Sequence, residues 1–211
     1  MVMVMPEPVG VLKLGVLASG RGSNFEAVQK AIEEGTIPAE VQVVITDKAD
    51  AAVLDKASSR GIAARYINPG QFANKREYEQ ELVRVCEEFK VDLIVCAGFM
   101  RILGSTLLDA FPLRVVNIHP ALLPSFPGLH AQKQAFDYGV RFSGCTVHFV
   151  DSGVDTGPII LQQTVPVLPG DDEDTLAARI LEQEHKLLPE AIRLIAGGRL
   201  RVEGRRVEIL P

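Results

Sequence analysis

Cysteine is scarce in this chain, with three residues, Cys86, Cys96 and Cys145, far apart and odd in number. That excludes a disulfide framework and a cysteine-rich metal site, and it suits a reducing cytoplasm. Each thiol reads as a small buried apolar group. Basic charge is not in surplus: 22 Lys and Arg face 27 Asp and Glu, for a formal charge of −5. Binding to nucleic acid is therefore disfavoured, although one phosphate is still within reach of a helix N-terminus. No apolar run approaches the ~20 residues that a membrane span needs, so no membrane partner is expected. The start lacks a basic segment and is broken by Pro6 and Pro8, which argues against a secretory signal. There is no repeat, linker or low-complexity stretch. No His, Cys or carboxylate set has metal-ligand spacing, so no metal is expected. The Gly-x-Ser-x-Gly elbow of serine hydrolases is also missing.

What is present is a soluble α/β pattern. The 211 residues are 47% hydrophobic and 23% charged, which fits one domain with a sizeable core. A loose tail over 1–9 and a single domain over 10–211 are expected. Short apolar runs mark strands at 11–18, 41–46, 62–67, 91–98 and 115–118. Between them, helical spacing from Phe25 to Gly35 and over 50–60, 74–90, 101–110 and 130–139 marks helices. Strands at 144–150 and 159–165 follow, the first alternating. Then come a long helix over 172–196, kinked at Pro189, and a hairpin around Gly204. Strands alternating with helices imply a Rossmann-like, open, twisted and mostly parallel sheet with helices on both faces and an antiparallel edge.

The chain is organised around residues 115–128, an apolar run that becomes a proline-stiffened loop. Asn117 and His119 lie two apart, so an extended backbone turns both to one face. Pro120, Pro124 and Pro127 fix the backbone downstream. The end of a buried strand is where open α/β sheets place chemistry. His119 alone also reads as a structural histidine, and His148 as packed or surface-exposed. A second candidate is the turn 19–24, where Gly22, Ser23 and Asn24 open a helix and suit a phosphate. It is no dinucleotide fingerprint, since a third glycine would fall at Phe25. It is no P-loop either, since Arg21 and Gly22 stand where Lys and Ser/Thr belong. An amide, an imidazole and a carboxylate from the loop 151–155, without a nucleophilic Ser or Cys, suit direct group transfer. In that scheme an imidazolium stabilises an oxyanion, and the carboxylate favours the charged ring.

These motifs resemble the folate-dependent formyltransferases. Asn117-Ile118-His119-Pro120, Leu122-Leu123-Pro124 and Pro127-Gly128-Leu129-His130 are similar to the family's core motif. Ser19 to Asn24, Ala97 to Leu103, Val147 to Val150 and Gln183-Glu184-His185 stand in the expected order. The resemblance spans about residues 14–199. It implies transfer of the formyl group of 10-formyltetrahydrofolate, as co-substrate, to the amine of glycinamide ribonucleotide in purine synthesis, through a tetrahedral intermediate and in the cytoplasm. It implies Asn117, His119 and Asp155 as catalytic residues. Gly22, Ser23, Asn24, Pro120 and Glu184 would bind the ribonucleotide. Lys75, Met100, Arg101, Ile102, Leu103 and Asn117, with Asp151, Ser152, Gly153, Val154 and Asp155, would bind the folate. Lys75 replaces an arginine of the pattern, losing a bidentate fork, and Leu181 replaces a polar glutamine. Either a monomer or a homodimer is compatible with this reading. Related enzymes remain as alternatives: a methionyl-tRNA formyltransferase, expected to carry a further C-terminal domain, and a formyltetrahydrofolate deformylase, expected to carry an N-terminal one. A nucleotide-binding module without catalysis is the non-enzymatic alternative. A nicotinamide oxidoreductase, with Asp47 holding a ribose, is a further one, and the missing third glycine counts against it.

Overall fold

The structure, a computed structural model, describes Val2–Val4 and residues 10–211. In chain order the elements are β1 (Val2–Val4), β2 (Leu12–Leu17), α1 (Ser23–Glu33), β3 (Ala39–Thr46), α2 (Val53–Ser58), β4 (Ala63–Tyr66), α3 (Lys75–Glu88), β5 (Leu93–Cys96) and α4 (Ser105–Ala110). They continue with β6 (Val115–His119), α5 (Ala131–Tyr138), β7 (Phe142–Phe149), β8 (Ile159–Pro166), α6 (Glu173–Ala196), β9 (Leu200–Glu203) and β10 (Arg206–Ile209). Seven strands form the expected open, mostly parallel sheet, in the order β4-β3-β2-β5-β6-β7-β8. By contacts the chain forms two compact units, Pro8–Val116 and Asn117–Pro211 with Met1–Glu7.

In the first unit β2 pairs in parallel with β3 and β5, and β3 with β4. Strands covered on both faces must be apolar throughout. Leu14, Val16, Leu17, Val43, Val44, Ile45, Ile94 and Val95 are all fully buried. Phe25 and Val28 of α1, Val53 and Ala57 of α2, and Leu82 and Cys86 of α3 complete this core. Asn74 caps α3 by accepting the Glu77 N–H at 3.0 Å. α4 starts at Ser105, four residues later than periodicity suggests. The intervening backbone is engaged elsewhere. Met100 N–H is taken by Ser19 Oγ at 2.9 Å, and Gly104 N–H by Glu79 Oε1 at 2.6 Å. Residues 100–104 are thereby held open rather than helical.

In the second unit β7 pairs antiparallel with β8, giving the antiparallel edge, with a register shift between Val147 and His148. α6 opens with a capping box between Asp172 and Thr175 and runs on through Pro189. Leu176, Ile180, Glu184, Leu188 and Ile192 recur every four residues and are buried, the stripe that an amphipathic helix presents to its core. The C-terminal hairpin forms as expected, β9 with β10. One expectation is corrected. Val2–Val4, inside the segment expected to be loose, pairs antiparallel with β9 from Val2 opposite Glu203 to Val4 opposite Arg201. These three residues gain backbone partners from the β9 edge of the hairpin. The rest of residues 1–9 lies outside the described residues.

Candidate active site

The turn 19–24 ends at Gly22, which adopts φ 71° and stands as the N-cap of α1 without any side-chain cap. A helix start directs its first N–H groups outward along the axis. Gly22 and Asn24 are buried, and Ser23 is half-buried. A Cβ at Gly22 would lie 2.6 Å from Val53 Cγ2 and 2.9 Å from Val53 Cβ. The left-handed backbone alone disfavours other residues by about 1–2 kcal/mol. Gly22→Ala is therefore expected to lower the melting temperature by at least about 2–4 °C and to raise KM for a phosphate-bearing substrate. A wild-type KM would detach this turn from binding.

Residues 100–103 line a cavity of about 640 Å3 together with Asp47, Lys48, Phe72, Lys75, Tyr78 and Glu79. Met100 and Ile102 are exposed, at 60% and 59%, and supply an apolar wall. Arg101 is held by Asp47, Nε to Oδ2 at 2.8 Å, and lies over the Tyr78 ring at 5.7 Å. Burial first, then the charge of Asp47, pushes the Tyr78 hydroxyl up to about 12, so it stays protonated. Lys75 sits 3.7 Å from the buried Glu79 carboxylate. Its charge is partly engaged there.

The imidazole of His119 is 4% exposed at the end of β6. Its Nε2 lies 2.8 Å from the carbonyl of Phe126. A carbonyl only accepts, so Nε2 carries the hydrogen. Nδ1 lies 3.3 Å from Asp155 Oδ2. The carboxylate is anchored by the Gly128 N–H, donated at 2.8 Å. Asp155 has φ 53°, a backbone state that Asp tolerates better than most residues. Burial would raise Asp155. Contact with His148, the Gly128 N–H and the charge of the two imidazoles together hold it below its usual value. For His119 burial is the largest influence. Burial lowers the ring below its ordinary value, and Asp155 and the Phe126 carbonyl only partly offset that. The carboxylate favours the charged ring, as expected, but desolvation outweighs it.

His148 was read from sequence as packed or exposed and was left out of the site. It is 1% exposed and belongs to the cluster. Its Nδ1 donates to the Phe149 carbonyl at 2.8 Å, so in the neutral ring Nε2 accepts from the Asn117 amide, 3.2 Å away. Nε2 is also 3.7 Å from Asp155 Oδ1. His148 thus fixes which way the Asn117 amide points. Thr146 was missed for the same reason. Its buried hydroxyl donates to the Ala121 carbonyl at 2.7 Å and accepts the Leu123 N–H at 3.1 Å, holding the chain just past His119. Alternation made β7 look half-exposed. Seven of its eight residues are buried; Thr146 and His148 are satisfied internally, while the buried Ser143 hydroxyl has no hydrogen-bond partner. The register shift beside His148 was a further signal of the kind found next to active sites, but it is visible only in three dimensions.

The other expected residues fall as follows. Asn117 and Pro120 are half-buried beside His119. Glu184 is 6% exposed on the buried stripe of α6, and Leu181 is half-buried. Residues 151–155 form a tight loop. Asp151 Oδ1 accepts from Gly153 N at 3.1 Å and from Thr156 Oγ1 at 2.6 Å, while Ser152 and Val154 face outward. Among the described residues no group of His, Cys, Asp and Glu is arranged to hold a metal ion. No described helix is long and apolar enough to cross a membrane.

The formyl transferase family model matches residues 12–192, and the chain belongs to that family. Among individual relatives, the "Phosphoribosylglycinamide formyltransferase" of Bacillus subtilis (strain 168) is 41% identical over 88% of this chain and 95% of its own. The "Trifunctional purine biosynthetic protein adenosine-3" of Drosophila pseudoobscura pseudoobscura is 47% identical over 90% of this chain. This chain spans 14% of that relative's length. A crystal structure of glycinamide ribonucleotide transformylase 1 from Symbiobacterium toebii superposes with a TM-score of 0.95 at 49% identity, covering 97% of this chain and 96% of that one.

Proposed function

We propose that the chain transfers the formyl group of 10-formyltetrahydrofolate to the amine of glycinamide ribonucleotide. The observation that carries this is the His119–Asp155 pairing at 3.3 Å, with Asn117 set by His148, in a family member 41% identical to an enzyme of that name. Asn117 uses one amide hydrogen on His148 and has a second to offer to a developing oxyanion. The Nε2–H of His119, accepted here by Phe126, is the donor that a formyl oxygen would accept in its place. Asp155 faces the opposite nitrogen and stabilises the ring when it becomes charged. With its hydrogen on Nε2, the ring takes up a second proton at Nδ1, against Asp155; the proton that the attacking amine releases passes to solvent.

The helix start at Gly22, Ser23 and Asn24 suits the ribonucleotide phosphate, and we assign Pro120 and Glu184 to the same ligand. The cavity wall of Met100 to Leu103, with Lys75 as a cation for a carboxylate, suits an aromatic folate, and the loop 151–155 is assigned to the same ligand. The three cysteines are buried and free, with thiols pushed up to about 12 by burial, which supports a reducing, cytoplasmic setting.

The test is a formyl-transfer assay with glycinamide ribonucleotide, beside a control without acceptor and one with methionyl-tRNA. Turnover only with the ribonucleotide is expected. Acceptor-independent release of formate, or transfer to the tRNA alone, would overturn the assignment in favour of a sister enzyme.

A further inference from the structure

The family match ends at residue 192, but the chain goes on into the β9–β10 hairpin, whose turn reaches the loop that carries Asp155. We infer that Arg205, in that turn, is a positioning residue for Asp155; this rests on the formyl-transfer reading above. Arg205 Nη1 donates to the Thr156 carbonyl at 2.7 Å. Thr156 Oγ1 donates to Asp151 Oδ1 at 2.6 Å. Gly157 is packed so tightly that a Cβ there would lie 1.8 Å from the Phe149 carbonyl oxygen. The loop is closed at its base by Phe149 N–H to the Pro158 carbonyl at 2.9 Å.

Asp155 occupies the left-handed backbone region, which has lower-energy alternatives. A relaxed backbone there would swing the carboxylate away from Gly128 and His119. Thr156, the next residue, is held at its side chain by Asp151 and at its carbonyl by Arg205. Both holds are charge-assisted, one to the Asp151 carboxylate and one from the Arg205 cation, and such hydrogen bonds are the stronger kind. Arg205 itself touches neither His119 nor Asp155, so its effect passes through the loop backbone.

The experiment compares Arg205→Ala and Arg205→Lys in the full chain by kcat, KM for both substrates, melting temperature and the pH profile of kcat/KM. Arg205→Ala is expected to lower kcat about 3- to 10-fold, the size of one hydrogen bond's net contribution. KM for the ribonucleotide and the melting temperature should stay near wild type. The limb of the profile set by His119 should move to lower pH, because a displaced Asp155 raises that ring less. Arg205→Lys should recover part of kcat. If kcat and the limb of Arg205→Ala match wild type while Asp155→Asn is deficient, the inference fails and the formyl-transfer reading stands. If Asp155→Asn itself keeps full activity, the reading of Asp155 falls and the inference with it.

Discussion

His119→Ala is expected to lower kcat for formyl transfer by about 10²–10⁴-fold, the range that positioned acid–base groups contribute. The imidazole has two protein partners, the Phe126 carbonyl on Nε2 and Asp155 on Nδ1, and no other side chain near Asp155 is set to take both roles. His148 cannot replace it, because its Nδ1 is committed to the Phe149 carbonyl and its Nε2 to Asn117. Substitution also leaves the half-buried Asp155 without one of the charges that lowers it, so the carboxylate should titrate at higher pH than in the wild type. Folding is controlled by melting temperature, and binding by titration with a folate analogue, which should persist because Met100 to Leu103 are untouched. Turnover near the wild-type rate would remove His119 from the chemistry.

Asp155→Asn should carry the second largest loss, roughly 10²-fold, with a signature in pH. In the native protein burial lowers His119 and Asp155 raises it. An amide removes the larger raising influence and leaves only the Phe126 carbonyl against burial, so the ring ionises at lower pH than in wild type. The limb of the rate profile that follows His119 then moves in the acid direction. The Gly128 N–H still finds an oxygen on Asn, so the backbone loop should hold and the melting temperature should change little. An unmoved limb would detach Asp155 from His119, whatever the rate.

The fold was largely legible in the sequence because buried parallel strands must be apolar throughout and amphipathic helices repeat every three to four residues. Runs such as 91–98 and the Phe25–Gly35 spacing therefore point to one architecture. The misses share a cause. α4 starts late because Ser19 and Glu79, far off in sequence, take the N–H groups of Met100 and Gly104. β1 forms because β9 offers an edge about 200 residues away. No local pattern encodes either partner.

The site divides along the same line. Asn117 and His119 were recognisable because a two-residue spacing on a strand end fixes their common face, and Gly22 because a turn into a helix needs a residue free to adopt positive φ. The motif also brought Asp155 to notice. By itself, then, the sequence determined the sheet, the strand end and the residue types of the chemistry. Only the tertiary structure decided the protonation balance of His119, the place of His148 in the cluster and the hold of Arg205 on the Asp155 loop. These depend on desolvation and on hydrogen bonds between residues distant along the chain, and both are set by three-dimensional packing rather than by spacing in the sequence.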